Sequence, residues 1–442
     1  MEIYISPTYD NLIFKQIKLS TMNIKELFFK ALQIQDPWYI KSINFDSEKL
    51  IIEVDFKRGA VFMDDDNGND EPKPYKVYST TIKTWRHLNF LQYDCYIKAR
   101  TPRIKRDDGR VRLISPPWSG VMNGFTLLFE AFIFKLAGEM PVSRVANLIE
   151  TYDTKIWRML DIYVDGAKHG QDYSNATVIG IDETSIAKGH QYISLFVDLC
   201  KKKTIFVADG KSSQAIADFT VDLKEHNATP EQIREVSCDM SPAFIKGVKE
   251  ELPNAKITFD KFHILKIINE GVDQVRRAEA ATNPLLKKTL NKTRYIWLKN
   301  DANLTAKERV RKGELMELSM SDLNLKSMQA MQIRENFQAI YLANDVDEFE
   351  FLLGLWHDWA TKSMLKPMIN AAKTIKNHWE GIIRWKVSQI NNGILEGLNS
   401  VLQAAKRKAR GYGAEHFITM AYFLTGKLNF SKVNKFCFTH SF

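Results

Sequence analysis

The chain has 442 residues, of which 45% are hydrophobic, so it is long enough for several domains and apolar enough to bury sizeable cores. These values exclude a disordered chain. Its 62 Lys and Arg residues against 53 Asp and Glu give a net charge of +9, which favours a polyanionic partner and excludes a wholly basic, histone-like tail.

The sequence lacks the features of secreted, disulfide-rich and membrane proteins. Its four cysteines stand far apart, which excludes a disulfide framework and a zinc ribbon built on paired cysteines. The first residues contain no basic patch followed by an apolar run, so we expect no signal peptide. The most apolar stretch, 125–138, carries Glu130 and Lys135 and is too short to span a bilayer. We therefore expect a soluble, cytoplasmic protein without a membrane partner.

The first 120 residues are rich in β-forming segments. Two of them flank Asp46-Ser47-Glu48 and predict a hairpin within 38–62. The run 64–72, DDDNGNDEP, has the composition of a turn, and we interpret it as a solvated loop rather than a calcium site, because adjacent carboxylates repel one another when packed. A basic stretch between 93 and 118 is compatible with either a DNA-contacting strand pair or a solvated face; it contains Lys98, Arg100, Arg103, Lys105, Arg106, Arg110 and Arg112.

Residues 125–164 are predicted to be helical. From residue 140 onward the pattern consists of two short amphipathic pieces with a turn between them. Val142 and Ser143 open the first piece, and Asp153-Thr154 can cap the second. This spacing is typical of a helix-turn-helix, in which Lys155, Trp157 and Arg158 lie near the start of the DNA-recognition helix. An ordinary three-helix packing unit explains the same pattern.

A different pattern begins at residue 176. Three β-rich runs (176–185, 191–199 and 203–210) precede a helix (213–226), a strand (233–238), a helix (243–252), a strand (255–259) and a long helix from 262. An antiparallel meander followed by alternating helices and strands is the element order of an α/β ribonuclease-H-like fold. Residues 276 to about 380 are predicted as an all-α insertion, and the helical pattern returns to the core near Leu395.

Two aspartates follow apolar strands of this predicted core. Asp182 comes at the end of the first strand and Asp239 at the end of the fourth. We expect them side by side, because the first and fourth strands are neighbours in this fold. Close carboxylates raise each other's pKa unless a cation neutralises them, and their hard oxygens suit Mg²⁺ or Mn²⁺. A turn or capping role for each aspartate is the alternative.

A third carboxylate comes from the helix predicted within 391–412. Its buried face contains Leu395, Leu398, Leu402 and Ala405, and its polar stripe contains Glu396, Ser400, Gln403 and Arg407. Glu396 and Arg407 are then about 16 Å apart on one face, which suits a metal ligand at one end and a phosphate-binding cation at the other. Lys406, Lys408 and Arg410 flank Arg407 as further DNA-binding candidates. Three carboxylates can hold two metal ions for in-line phosphoryl transfer.

The runs VIGIDETSIAKGHQYISLFVDL, REVSCDMSPAFIKGVKEELPNAKITFDKFHILKIINEGVDQVRRAE and NNGILEGLNSVLQAAKRKARGY resemble the bacterial insertion-sequence transposases of the ISL3 family, which have an Asp-Asp-Glu core. The resemblance extends from about residue 22 to residue 427. It implies that Asp182, Asp239 and Glu396 are the catalytic residues and ligate two Mg²⁺ or Mn²⁺ ions. It also implies a DNA transposase that binds terminal inverted repeats and catalyses strand cleavage and strand transfer.

The resemblance assigns further residues. Asp260 and His263 in FDKFH resemble an auxiliary acid-x-x-His element, although His263 can equally be a capping or packing residue. Trp297 resembles a tryptophan that stacks on an unpaired base, with a core tryptophan as the alternative. The similarity of the N-terminal region, including MPVSRVANLIETYDTKIWRML, favours the helix-turn-helix. Relatives have cysteine pairs where this chain reads FMDDDNGND and KRDDG, so no structural zinc is expected.

We therefore predict an N-terminal DNA-binding region joined to a ribonuclease-H-like catalytic core. The predicted parts are a possible extension (1–21, with Met22 as the natural start), a β-containing DNA-binding module (22–120), a helix-turn-helix (121–172), the core (173–275 and 386–442) and an all-α insertion (276–385). The expected partners are double-stranded DNA with terminal inverted repeats, target DNA and further copies of the chain in a dimer or larger assembly, near the bacterial nucleoid. A non-catalytic, element-derived DNA-binding protein or repressor is the alternative.

Overall fold

The structure is a computed structural model that describes residues 24–64, 72–122, 124–187, 191–282, 284–320, 324–390 and 393–430. The chain divides into two compact units: the first comprises the residues up to Tyr163 together with those from Phe430 onward, and the second is Val164–Asn429. The predicted extension 1–21 and the predicted start at Met22 lie outside the described residues.

The first unit contains a mixed β-sheet followed by helices. Its elements are α1 (Ile24–Ala31), β1 (Trp38–Asp46), β2 (Lys49–Phe56), β3 (Val61–Asp64), β4 (Lys73–Arg86), β5 (Asp94–Lys105), β6 (Val111–Leu113), α2 (Leu127–Glu139), α3 (Val142–Leu148) and α4 (Asp153–His169). The sheet order is β1-β2-β5-β4-β3, with β6 paired to β5. The antiparallel pairing of β1 with β2 confirms the predicted hairpin.

Alternating side chains give this sheet its own core. On β2, Leu50, Ile52, Val54 and Phe56 are buried while the residues between them are less so, as the two-residue period of a strand requires. Aromatic rings pack edge to face beside them, with 5.0 Å between the ring centroids of Trp38 and Trp118.

The prediction of a solvated loop is wrong at its first residue. Asp64 ends β3 with no exposed surface, and Arg106 Nε donates to its Oδ2 at 2.5 Å. Arg112 donates to its other oxygen. Two guanidinium groups from the chain around β6 thus compensate the buried charge of Asp64. The remainder of the run, 65–71, lies outside the described residues.

Ion pairs also involve other members of the basic stretch. Arg100 Nε lies 2.8 Å from Asp55 Oδ1, Lys98 Nζ lies 3.6 Å from Glu53 Oε1, and Arg110 pairs with Asp108 at 3.6 Å. With Arg106 and Arg112, most of this stretch forms ion pairs with acidic residues of the first unit, which neither of the two predicted alternatives, a DNA-contacting strand pair or a solvated face, included.

The second unit begins with the last residues of α4. Its elements are β7 (Val178–Ala187), β8 (Gln191–Asp198), β9 (Lys203–Asp209), α5 (Gln214–Glu225), β10 (Glu235–Cys238), α6 (Pro242–Glu251), β11 (Lys256–Phe259), α7 (Lys261–Ala280), α8 (Pro284–Leu290), α9 (Arg294–Leu298), α10 (Ala306–Leu318), α11 (Lys326–Ile340), α12 (Val346–Lys362), α13 (Lys366–Asn377), α14 (Trp379–Ser388), α15 (Gly393–Ala409) and α16 (Ala414–Thr425). The described parts of 276–385 contain α-helices and no β-strand, as predicted.

Five strands form the second sheet in the order β11-β10-β7-β8-β9. β7, β8 and β9 form an antiparallel meander, and β10 runs parallel to both β7 and β11. The predicted neighbourhood of the first and fourth strands is therefore confirmed. Within the ranges that the structure describes, no helix has both the length and the apolar character needed to cross a membrane.

Candidate active site

The strand register aligns three aspartates across the second sheet. Ser237 of β10 pairs with Gly180 of β7 and with Thr258 of β11. Two residues after Ser237, Gly180 and Thr258 come Asp239, Asp182 and Asp260, respectively. Parallel strands keep such positions level, so the three side chains emerge at one edge of the sheet.

Asp182 differs from its prediction in one respect. It does not end its strand, because β7 continues to Ala187 and pairs with β8 along that length. What ends near Asp182 is the pairing with β10, whose last strand residue is Cys238. The predicted exposure of a strand terminus is thus replaced by a carboxylate that is held within a longer strand.

α15 brings Glu396 to the same edge. Leu395 and Leu402 are buried, as predicted, and Leu395 packs with Val197 and Leu199. This approach depends on Gly180, because a Cβ atom there would lie 2.8 Å from Leu395 Cδ1. Since Leu395 is fixed against the sheet, the next residue, Glu396, lies at the edge that carries the aspartates.

One cavity of about 330 Å³ unites these groups. It is lined by Ile181, Asp182, Glu183, Asp239, Asp260, Phe262, His263, Leu395, Glu396 and Asn399. The structure therefore brings together the predicted catalytic trio and the predicted auxiliary pair, from segments of the chain that are far apart in sequence.

Charge in this cavity is only partly compensated. Burial is the main cause that raises the pKa of Asp182 to about 6. His263 and the Glu183 backbone N–H act in the opposite direction, and Asp239 and Asp260 act with burial. Burial also raises the pKa of Glu183, against the opposing effect of Lys211. A cluster of this kind favours the binding of a cation, because added positive charge lowers these pKa values.

Hydrogen bonds orient the carboxylates. Asp182 accepts from the Glu183 backbone N–H at 2.9 Å and from Asn399 Nδ2 at 2.5 Å. Asp239 accepts from the backbone N–H of Ser241, just before α6, at 3.0 Å. Sequence reasoning missed Asn399, although its position three residues after Glu396 places both side chains on one helix face.

At the start of α7 the capping residue is Asp260 and not His263, and the two side chains are hydrogen-bonded to each other. Asp260 caps α7 by accepting from the Phe262 backbone N–H at 2.9 Å. Its other oxygen lies 3.1 Å from His263 Nδ1, and this hydrogen bond is the main cause of a raised pKa for His263. A capping residue and a cavity-lining ion pair are thus combined at the start of one helix.

The donor set of the cavity fits a divalent metal in its chemistry. Asp182, Asp239 and Glu396 offer the hard oxygen ligands that Mg²⁺ and Mn²⁺ prefer. In the part of the chain that the structure describes, no three His, Cys, Asp or Glu side chains are grouped closely enough to hold an ion as they stand. The fit therefore rests on the donor types and on the under-compensated charge of Asp182.

The predicted DNA contacts of the helix-turn-helix need correction. α3 and α4 begin at the predicted residues. Trp157 is only 7% exposed because it lies beside Ile156 on the inner face of α4, so it is a packing residue. Lys155 is half-buried, with Nζ 3.5 Å from the ring centroid of Phe125. Of the three predicted residues, Arg158 is the one that is exposed.

Trp297 is also a core residue. Its ring is fully buried and its Nε1 donates to Thr293 Oγ1 at 2.9 Å, so the ring is not available to stack on a base. On α15, Lys406 donates to the Ser185 backbone oxygen at 2.7 Å and joins the helix to β7. Arg407, Lys408 and Arg410 are exposed at the end of the same helix, as a DNA-binding surface requires.

Comparison with known proteins assigns both units to one class. Residues 179–421 match the transposase domain of the ISL3 type. Residues 123–164 match the helix-turn-helix domain of transposase family ISL3. A DNA-binding helix-turn-helix thus precedes a transposase domain of the Asp-Asp-Glu class, in the order that the sequence predicts.

Two similar curated proteins have the same kind of name. The transposase for insertion sequence element IS1001 of Bordetella parapertussis is 23% identical over 349 residues, which cover 77% of this chain and 84% of that protein. The transposase for insertion sequence element IS1557 of Mycobacterium tuberculosis is 23% identical over 373 residues, which cover 78% and 81%. Because the transposase-domain match covers more than half of the residues, the chain belongs to the ISL3 family of insertion-sequence transposases.

Proposed function

We propose that this protein is a DNA transposase that binds the terminal inverted repeats of its insertion sequence and catalyses strand cleavage and strand transfer. The observation that carries the proposal is the convergence of Asp182, Asp239 and Glu396 on one cavity, in a chain of the ISL3 family. The proposed roles of the three carboxylates are catalytic and metal-binding.

The catalytic part has, in our proposal, a ribonuclease-H-like fold. An antiparallel meander joined to two parallel strands on its first-strand side supports this assignment. We further propose the division of the chain that the sequence predicts: a β-containing module (22–120), a helix-turn-helix (121–172), the core (173–275 and 386–442) and a helical insertion (276–385).

Asp182, Asp239 and Glu396 would hold two Mg²⁺ or Mn²⁺ ions. Two such ions stabilise the attacking and the leaving oxygen of an in-line phosphoryl transfer. The β-strands hold Asp182 and Asp239 at the same height in the sheet, and α15 places Glu396 beside them at the cavity. His263, which is hydrogen-bonded to Asp260, adds positive charge that reduces repulsion among the carboxylates.

DNA binding is proposed for exposed cations on two helices. Arg158 on α4 serves the double-stranded terminal repeat, since it is exposed near the start of the second helix of the helix-turn-helix. Arg407 and Lys408 at the end of α15, with Arg410 just after it, bind backbone phosphates, because α15 connects them to Glu396. Joining two element ends to a target DNA favours a homodimer or a larger synaptic assembly.

Strand cleavage and joining on labelled DNA test this function. The substrate is the pair of terminal repeats that flank the gene, with Mg²⁺, Mn²⁺ or EDTA. We expect the wild type to cut and join ends with either metal. Glu396→Gln, which removes only the charge, is expected to bind DNA equally well and to do neither. Glu415→Gln changes an exposed glutamate on α16 and is the matched control, with wild-type activity expected.

Two results would contradict the proposal. If the wild type binds the repeats and no metal supports a reaction, the protein is a non-catalytic DNA-binding protein. If Glu396→Gln cuts as fast as the wild type, the third carboxylate is another residue.

A further inference from the structure

Three polar residues of α15 join this helix to β7, and we call them the α15 polar row: Asn399, Gln403 and Lys406. Gln403 Nε2 and Lys406 Nζ both donate to the Ser185 backbone oxygen, at 3.0 and 2.7 Å. Asn399 differs from them because it contacts side chains, those of Asp182 and Thr184. The row therefore joins the helix of Glu396 to the strand of Asp182 through three side chains.

The chemistry of its partners fixes which way the Asn399 amide points. An ionised carboxylate can only accept hydrogen bonds, so the Nδ2 group must face Asp182. The Thr184 hydroxyl, on a residue that is 4% exposed, donates to Oδ1 at 2.5 Å and occupies the other end of the amide. A flipped amide would place its oxygen against the Asp182 carboxylate and its NH₂ against the hydroxyl, so the observed orientation is the one that satisfies Asp182.

This contact matters because Asp182 lies among other acids. Without an orienting donor, repulsion from Asp239 and Asp260 favours rotation of the Asp182 carboxylate out of the cavity. The Asn399 amide opposes that rotation without adding a net charge that would compete with a bound cation. It is also one helical turn from Glu396, so the same hydrogen bond sets how closely α15 and β7 approach at the cavity.

We propose that Asn399 is a positioning residue for the Asp182 carboxylate, and that Thr184 orients the Asn399 amide for this task. The proposal deepens the function proposed above and rests on the metal-binding role of Asp182. Two successive hydrogen bonds, from Thr184 to Asn399 and from Asn399 to Asp182, hold the Asp182 carboxylate in the orientation needed to bind a metal.

Two substitutions at Thr184 separate this role from packing. Thr184→Val keeps the shape of the side chain and removes the hydroxyl, whereas Thr184→Ser removes a methyl group and keeps the hydroxyl. We expect Thr184→Val to weaken Mn²⁺ binding to the DNA-free protein by about tenfold, and to slow strand transfer at saturating DNA by a similar factor. Thr184→Ser is expected to stay within about twofold of the wild type on both measures.

Asn399→Ala gives the direct test and Gln403→Ala is its control. We expect a loss of about 10- to 100-fold in Mn²⁺ affinity and strand-transfer rate for Asn399→Ala, with unchanged binding of terminal-repeat DNA. Gln403→Ala removes a contact of the same row that does not reach Asp182, so its Mn²⁺ affinity should match the wild type. Electron paramagnetic resonance measures bound Mn²⁺, and thermal denaturation reports the stability of each variant.

The proposal is overturned if Thr184→Ser loses Mn²⁺ affinity as much as Thr184→Val does, or if Gln403→Ala matches Asn399→Ala. Either result would mean that the α15 polar row only holds α15 against β7 and does not orient Asp182. Should Asn399→Ala fail to fold, the Thr184 pair decides. A wild type that binds Mn²⁺ but joins no DNA ends contradicts the proposed transposition activity, and the Mn²⁺ measurements still test the role of Asn399.

Discussion

Asp64 in the first unit is a buried carboxylate and Asp182 in the second is a half-buried one, both on β-strands, and the charges that surround them differ in sign. Asp64 has no exposed surface and accepts hydrogen bonds from two guanidinium groups, those of Arg106 and Arg112. Asp182 accepts hydrogen bonds from the Asn399 amide and from a backbone N–H, and its charged neighbours include two further aspartates. The two residues therefore differ in burial and also in how far neighbouring groups compensate their charge.

The difference has a physical consequence. A buried carboxylate that is paired with arginines contributes to folding, because loss of one partner leaves an uncompensated charge. A buried carboxylate among other acids is costly to the fold until a cation arrives, and such perturbed groups cluster at functional sites. We expect the two aspartates to respond in opposite ways to the same substitution.

The largest effect is expected for Asp182→Asn. The change removes a proposed metal ligand and should reduce strand cleavage by at least about 10³-fold, or about 4 kcal/mol in the barrier. Because it also removes a charge from a crowded cavity, the melting temperature of the metal-free protein should stay the same or rise. Cleavage of labelled terminal-repeat DNA and thermal denaturation measure the two quantities, and a large fall in melting temperature would contradict the comparison.

Asp64→Asn should act on stability. Removing its charge leaves Arg106 and Arg112 beside an uncharged group, and we expect the first unit to lose about 3 kcal/mol in its free energy of unfolding. Asp107→Asn is the matched control, since Asp107 pairs with Lys73 at the surface. Urea denaturation should show a shift for Asp64→Asn and none for Asp107→Asn. Equal shifts would mean that burial of the pair contributes nothing.

A half-buried histidine in the first unit extends the comparison to the pH dependence of stability. Burial, assisted by Arg86, lowers the pKa of His87 to about 4, and its Nδ1 lies 2.9 Å from Thr126 Oγ1. The unfolded chain takes up the proton near pH 6.5, so between pH 6.5 and 4 it binds more protons than the folded state, and stability falls as pH falls. We expect a loss of about 2 kcal/mol from pH 7 to pH 5. His87→Gln should flatten this part of the stability curve; an unchanged slope would assign it to other groups.

The smallest effect concerns the exposed cation on α4. Arg158→Ala should weaken binding to terminal-repeat DNA by about fivefold and reduce the slope of log K against log salt by about 0.9, as the loss of one phosphate contact requires. Lys224→Ala, at an exposed position of α5 outside the parts proposed to bind DNA, should leave both values unchanged. Fluorescence anisotropy over a series of salt concentrations measures them, and an unchanged slope for Arg158→Ala would exclude a phosphate contact.

Local sequence patterns predicted the elements well. The three strands of the meander, the helices α5 and α6, and the starts of α3 and α4 were all placed within about two residues, because periodic burial and capping residues act within a few positions of one another. The same patterns singled out Asp182, Asp239 and Glu396 as candidates, and the structure brings these three residues to one cavity.

The failures have a common origin. Asp64 was assigned to a solvated loop because its neighbours in sequence are acidic, and its arginine partners lie more than 40 residues away. Trp157 and Trp297 were assigned to DNA because of their positions within motifs, and which face of each helix is covered depends on packing. Asn399 was missed because its partners, Asp182 and Thr184, are more than 200 residues away.

The sequence by itself determined the element order, the sheet neighbours β7 and β10, the starts of α3 and α4 and the candidate carboxylates Asp182, Asp239 and Glu396, because hydrophobic periodicity and capping act between residues that are close along the chain. Only the tertiary structure decided which charges are compensated. The compensation of Asp64 by arginines and the contact of Asn399 with Asp182 depend on side chains from distant segments, and electrostatic free energies are set by distance in space and by burial.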